Sequence, residues 1–201
     1  MRMNVVFDLG GVVVAWKPDQ IIENAITDPE LRPVFKEHVI RHPDWLELDR
    51  GSLTVDQAID RAVARSGLAE PMVRAFVESV PAALVANEDT VRLIRKLKAT
   101  DHPLYCLSNM PLGSIEYLEK RYDFFDLFDG KIISSRVGHC KPESGIYTCL
   151  LETYGLNPRE TVFIDDVIDN LEAASKFGMA TVHHIDVIHT ELVLRMMGCP
   201  V

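Results

Sequence analysis

Apolar and polar positions change rhythm along the 201-residue chain. From about residue 88, stretches with apolar residues every three or four positions alternate with short β-rich runs. That alternation predicts helices at 88–99, 111–121, 142–154, 168–177 and 187–197, and strands near 103–108, 131–134, 161–165 and 180–184. A further strand is expected near 4–9. Gly155 and Gly178 fall just past two of these helices, where a left-handed residue commonly ends a helix. Helices alternating with strands imply a parallel sheet covered on both faces.

Residues 16–85 keep helical spacing but contain no convincing strand. Pro18 and Pro29 suit first helical turns, Thr54 to Gln57 has capping-box spacing, and Gly67 closes the run that follows. The expected fold class is therefore α/β: a doubly wound, Rossmann-like parallel sheet of about five strands, carrying an inserted α-helical cap. On this reading residues 1–15 and 86–201 form the core, and residues 16–85 form the cap.

Composition narrows the function. A chain with 47% hydrophobic and 25% charged residues can bury a full core without disulfides or a structural metal. The net charge of −9 argues against nucleic-acid or anionic-membrane partners, which need a basic face. No segment approaches the length of a bilayer span. The N-terminal apolar run follows a lone Arg2, is interrupted by Asp8 and lacks a small-residue cleavage pattern, so it does not read as a signal peptide. Cys106, Cys140, Cys149 and Cys199 form no C-x-x-C pair, which fits reduced thiols and a cytoplasmic location.

The polar residues that interrupt apolar runs carry the chemical signal. Asp8 sits inside VVFDLGGVVV, where a carboxylate costs several kcal/mol unless it is paired or bound to a cation. In an open parallel sheet, ligands bind beyond the carboxyl ends of the strands. Strand ends here deliver Asp8, Gly10 and Gly11, then Ser108 and Asn109, then Asp165 and Asp166. Lys141 precedes Pro142, read as the first residue of a helix, which would bring its ammonium near the positive helix end. Converging carboxylates repel unless a cation offsets them, and oxygen-only ligands favour a hard ion such as Mg²⁺. Lys141 and the Ser108 hydroxyl could hold phosphate oxygens, leaving one carboxylate free to attack phosphorus.

Four ordered motifs, FDLGG at 7–11, LSN at 107–109, CKPE at 140–143 and FIDDVIDNLEAA at 163–174, resemble the haloacid dehalogenase superfamily. More narrowly, they resemble its capped phosphatases, the branch with bacterial glucose-1-phosphate phosphatases and the amino-terminal domain of soluble epoxide hydrolases. The stretch LELDRGSLTVDQAI at 46–59 resembles the cap of that branch. The resemblance implies a Mg²⁺-dependent phosphatase acting on a small phosphorylated metabolite, in particular a sugar phosphate. By the same resemblance Asp8 is the nucleophile and a metal ligand, Asp166 and the Gly10 carbonyl are further metal ligands, and Asp165 is a ligand or lies just outside the metal. Ser108, Asn109 and Lys141 contact the phosphoryl group, Lys141 also offsets charge on the nucleophile, and Asn170 orients the metal cluster.

The departure from the family pattern is Gly10, where most family phosphatases place a second aspartate that serves as acid and base. Without that side chain a slower enzyme favouring good leaving groups, anomeric phosphates among them, is expected. Two other readings compete: a metal-independent 2-haloacid dehalogenase, and an idle binding or regulatory module. Trp16 and Trp45 read as core or cap packing, with Trp16 able to line the cap's mouth, and Asp49-Arg50-Gly51 as a cap turn. His183, His184 and His189 read as ordinary surface, while His139 stands near Lys141 in sequence.

Overall fold

The computed structural model describes residues 2–199. The chain opens with β1 (Asn4–Phe7) and continues through α1 (Pro18–Ala25), α2 (Arg32–Phe35) and a π-helical turn at Lys36–Ile40. Next come α3 (Pro43–Arg50), α4 (Val55–Ser66), α5 (Glu70–Ala83) and α6 (Glu88–Ala99). There follow β2 (Leu104–Ser108), α7 (Leu112–Arg121), β3 (Gly130–Ile133), α8 (Ser134–Val137) and α9 (Ser144–Tyr154). The described chain ends with β4 (Thr161–Asp165), α10 (Ile168–Ser175), β5 (Ala180–His183) and α11 (Val187–Met196). No helix among the described residues is long and apolar enough to cross a membrane.

Five strands form one sheet in the order β3-β2-β1-β4-β5, every pair parallel. Phe7 stands opposite Cys106 on one side and Ile164 on the other. The chain moves outward from β1 to β3 and then returns to β1's free side, so the strand order reverses between β1 and β4. Strands buried on both faces read as continuous apolar runs, and every residue of β4 is buried. Alternate side chains feed opposite layers. Val5, Phe7, Val162 and Ile164 pack with Leu93, Ile94 and Leu97 of α6, Ile115 of α7 and Leu194 of α11. Val6, Leu107 and Phe163 meet Ile146, Tyr147 and Leu150 of α9 and Leu171 and Ala174 of α10. Each such buried side chain contributes roughly 1.5–3 kcal/mol relative to exposure, which is why two layers suffice with all the cysteines free.

Helices α1–α5 bury a separate apolar cluster, in which Phe35 packs on Phe76 with ring centroids 5.4 Å apart. The capping box forms as expected: Thr54 Oγ1 accepts from the Gln57 amide, and Gln57 Oε1 accepts from the Thr54 amide. Gly67 ends α4 at φ 70°, a conformation that favours glycine. The chain enters and leaves this helical segment side by side. Ala15 N donates to Val85 O and Asn87 N donates to Val13 O, each at 2.8 Å.

Three local expectations are corrected. Pro29 opens no helix, because the Asp28 carboxylate accepts the Glu30 amide at 2.9 Å and bends the chain into a turn; α2 begins later, with Pro33 in its first turn. Pro142 likewise lies outside a helix. The Glu143 amide donates to Cys140 O at 2.8 Å, which closes a turn over 140–143, the Lys141–Pro142 peptide is cis, and α9 starts only at Ser144. His184 is not on the surface but buried, with Nδ1 2.8 Å from Thr190 Oγ1.

Candidate active site

The reversal of strand order places Asp8, just past β1, beside Asp165 at the end of β4, with Asp166 next in the chain. One carboxylate oxygen from each of the three lies within 4.8 Å of the others. Gly11 makes this approach possible. Its φ is 80°, and a Cβ there would collide with the Asp166 carboxylate.

Lys141 reaches into the cluster from the turn before α9. Its buried ammonium lies 2.8 Å from Asp8 Oδ1 and 2.6 Å from Asp165 Oδ2. Burial opposes that charge, but Asp8 and Asp165 outweigh it and hold the lysine pKa above its usual value. Lys141 owes its position to Asn109 rather than to a helix end: the Asn109 amide donates to Lys141 O at 2.9 Å and accepts from Lys141 N at 2.8 Å.

The two neighbouring aspartates differ in their surroundings. Asp165 is saturated by Lys141, by the Val167 amide at 2.8 Å and by Asn170 Nδ2, 3.1 Å from both carboxylate oxygens. Asn170 is itself fixed through its carbonyl, which accepts from Tyr147 at 2.9 Å. Asp166 instead lines the cavity above the cluster. Its pKa is raised, first by burial and then by Asp165. Asp8 is pushed up to about 7: burial raises it, Lys141 pulls it down, and Asp165 and Asp166 raise it again. One lysine does not neutralise three clustered acids, and the all-oxygen donor set suits a hard divalent cation.

The cavity has a volume of about 260 Å³. Its floor includes Asp8, Gly10, Asn109, Lys141, Asp166 and Asn170, while Trp16, Ile40, Trp45, Val80, Leu84 and Met110 form apolar walls. The expected site residues thus meet in one place, with one exception. Ser108, the last residue of β2, is buried and stands outside the described lining, where Asn109 and Met110 take its place. Trp16 and Trp45 stack with centroids 6.0 Å apart and both face the cavity. A second cavity of about 290 Å³ shares Trp45, Val80, Pro111 and Ser114 with the first.

Sequence reasoning missed Asp49. This residue lies in the last turn of α3 and lines the cavity with Asp8 and Lys141. Its neighbour Arg50 does not face the cavity; its guanidinium forms a fork on Glu143, with bonds of 2.7 and 2.6 Å. No local pattern marks an aspartate in LELDR as facing another part of the fold.

Comparison with known proteins identifies the family of the chain and several relatives. The family model for haloacid dehalogenase-like hydrolases matches residues 3–178. A sesquiterpene phosphatase of Aspergillus oryzae is 28% identical over 195 residues, covering 96% of each chain. A D-ribitol-5-phosphate phosphatase of Bacteroides thetaiotaomicron is 25% identical over 194 residues, covering 90% of this chain and 91% of the relative. A crystal structure of an enzyme of this family from Bacteroides thetaiotaomicron, in complex with magnesium and inorganic phosphate, matches with a TM-score of 0.71 at 25% identity. That match covers 90% of this chain and 93% of the other.

Proposed function

Because the chain belongs to the haloacid dehalogenase-like hydrolases and is a phosphatase of that family, we propose that it hydrolyses a small phosphomonoester through an aspartyl-phosphate on Asp8, with Mg²⁺ as cofactor. The observation that carries this reading is the cluster itself: three carboxylates within 4.8 Å, two of them, Asp8 and Asp165, bridged by one buried lysine, with Asp8 and Asp166 lining a cavity.

Asp8, the Gly10 carbonyl and Asp166 would hold the cation, which would offset negative charge on the phosphoryl group and on the nucleophile. An Asp8 oxygen attacks phosphorus as the bond to the leaving oxygen breaks, and that oxygen departs with the electron pair. Water then attacks phosphorus, the Asp8–phosphorus bond breaks, and phosphate is released. Lys141 stabilises charge on Asp8 and on the transferring group. Asp165 and Asn170 hold Lys141 in place, and helices α1–α5 act as a cap that limits water during transfer.

The walls refine the substrate class. Two stacked tryptophans and aliphatic side chains offer few partners to a sugar's hydroxyls, whereas each buried CH₂ gains about 0.8 kcal/mol. We therefore place a leaving group with substantial hydrocarbon surface ahead of the sugar phosphate expected from sequence. The adjoining second cavity and the sesquiterpene phosphatase relative support this choice.

The test is hydrolysis of aryl, sugar and isoprenoid phosphates with Mg²⁺. Activity lost on Asp8→Asn and on chelation is the expected result. A chelator-resistant release of chloride from 2-haloacids would replace this reading with a dehalogenase. No hydrolysis across the panel would favour an idle module. Sugar phosphates turned over in preference to isoprenoid ones would reverse the substrate assignment alone.

A further inference from the structure

Gly10 leaves the proposed reaction without an obvious proton donor, yet a third carboxyl group, besides Asp8 and Asp166, lines the same cavity. Asp49 enters from the helical segment, and three contacts with the sheet domain hold its stretch of α3 in place. The Ser134 hydroxyl donates to Asp49 O at 2.5 Å and in turn accepts from the Met110 amide at 2.9 Å. Arg50 forks onto Glu143, two residues after Lys141. Gly51, at φ 81°, lies so close to the Ser135 backbone that an added Cβ would fall 2.9 Å from Ser135 O. Residues 49–51 are thereby docked on α8 and, through Arg50, on the turn that carries Lys141. Its carboxyl group, by contrast, makes no hydrogen bond or ion pair with any described residue.

We infer that Asp49 is the general acid and base of the reaction proposed above, supplied by the cap in place of the side chain that Gly10 lacks. The inference rests on that proposed reaction at Asp8. In the first step the Asp49 O–H proton passes to the leaving oxygen as the bond from that oxygen to phosphorus breaks, so the product leaves as an alcohol. In the second step the Asp49 carboxylate takes a proton from water as the water oxygen bonds to phosphorus and the Asp8–phosphorus bond breaks. Both residues are then restored.

The electrostatics agree with the geometry. Burial and the charge on Asp8 push Asp49 up to about 8, against a downward pull from Lys141, which is the direction a proton donor requires. The other ionisable groups at this junction include Asp166 across the cavity, Cys140, Arg50 with its partners Glu143 and Glu47, and His139 beside Glu143.

The experiment measures kcat/KM of the full-length enzyme with Mg²⁺ on aryl and alkyl phosphates of graded leaving-group basicity. Asp49→Asn should reduce turnover of the poorest leaving groups about 10²–10⁴-fold while 2,4-dinitrophenyl phosphate, which needs no proton, loses less than about tenfold. Gly10→Asp added to Asp49→Asn should restore the poor leaving groups. That change is sterically open, since a Cβ at Gly10 meets only Trp16 Cβ at 3.7 Å. The wild type should lose activity at alkaline pH on poor leaving groups and not on the activated one. A uniform loss, or no loss, across the series overturns the role of Asp49. Should Asp49→Asn fail to fold, the wild-type comparison decides: identical alkaline limbs for both substrates overturn it. Failure of the underlying reaction is separate, because it shows as a wild type with no activity or an Asp8→Asn variant that retains it.

Discussion

Lys141→Met tests the central electrostatic claim. Lys141 is the one basic side chain among the described residues lining the cavity, and its ammonium faces two carboxylates at 2.8 and 2.6 Å. Methionine has similar length and apolar character, so the change removes charge with little change of volume. Deleting one partner of a buried ion pair costs about 3–5 kcal/mol, because the remaining charge is left without compensation. For a chain of this size that is a fall in Tm of about 6–20 °C.

The penalty depends on pH, and its sign follows from Asp8. Burial first, then the neighbouring acids, set against Lys141, leave Asp8 near 7 in the wild type, and without the lysine it rises further. An acid whose folded-state pKa is raised binds more protons when folded than when unfolded, so stability falls as pH rises through the folded value. Lys141→Met should therefore lose more at about pH 8.5 than at about pH 6, where Asp8 takes a proton and relieves the repulsion. Metal-free wild type and variant are compared by thermal unfolding at both pH values. A loss under about 1 kcal/mol at the higher pH would mean that Lys141 is no more than a surface-type pair, and a larger loss at the lower pH would refute the sign.

Three further outcomes follow from separate features. Gly11→Ala places a Cβ against the Asp166 carboxylate at φ 80°, so a fall of more than about tenfold in Mg²⁺-stimulated hydrolysis and a lower Tm are expected; unchanged Mg²⁺ titration would show that Asp166 is not pressed against this glycine. Trp45→Ala removes half of the tryptophan stack, and KM should rise for hydrocarbon-rich phosphates while that for phenyl phosphate changes little; an equal rise for both would remove the wall from specificity. Asp44 binds Arg65 at 2.7 Å and Arg61 at 3.3 Å, and although burial raises it, these partners hold its pKa below the usual range. Its contribution is full above about pH 4 and fades as pH falls through its lower folded-state value, so Asp44→Asn should destabilise by roughly 1 kcal/mol at neutral pH and by progressively less in acid, as followed by urea unfolding.

What could be read from sequence and what could not divide along the range of the interactions involved. Thr54 and Gln57 cap each other within one turn, and Val162-Phe163-Ile164 declares a strand buried on both faces, so both signals are local and both were legible. Pro29 and Pro142 carried a local signal that was ambiguous. A proline suits a first helical turn and a loop turn equally, and the deciding hydrogen bonds, to Asp28 and to Cys140, lay with residues whose part in a turn the pattern did not reveal. Strand-end acids could be assembled because parallel topology sends every strand's carboxyl end to one edge. Asp49 belongs to none of these classes.

The vacancy at Gly10 could be seen in the sequence, but its replacement could not. A missing side chain is a fact about one position, whereas the carboxyl group that shares a cavity with Asp8 gets there through the docking of α3 on α8 and on the Cys140–Glu143 turn. If Asp49 is the acid, the cap does more than exclude water: a variant that leaves every core residue intact but loosens this contact should behave like Asp49→Asn. Arg50→Lys is such a variant. It keeps the charge and loses the fork on Glu143, at a cost in stability of about 1 kcal/mol or less for a pair that is only partly buried. The discriminating readout is again the leaving group. Poor leaving groups should slow while activated ones do not, and equal slowing of both would mean that the contact serves folding rather than proton transfer.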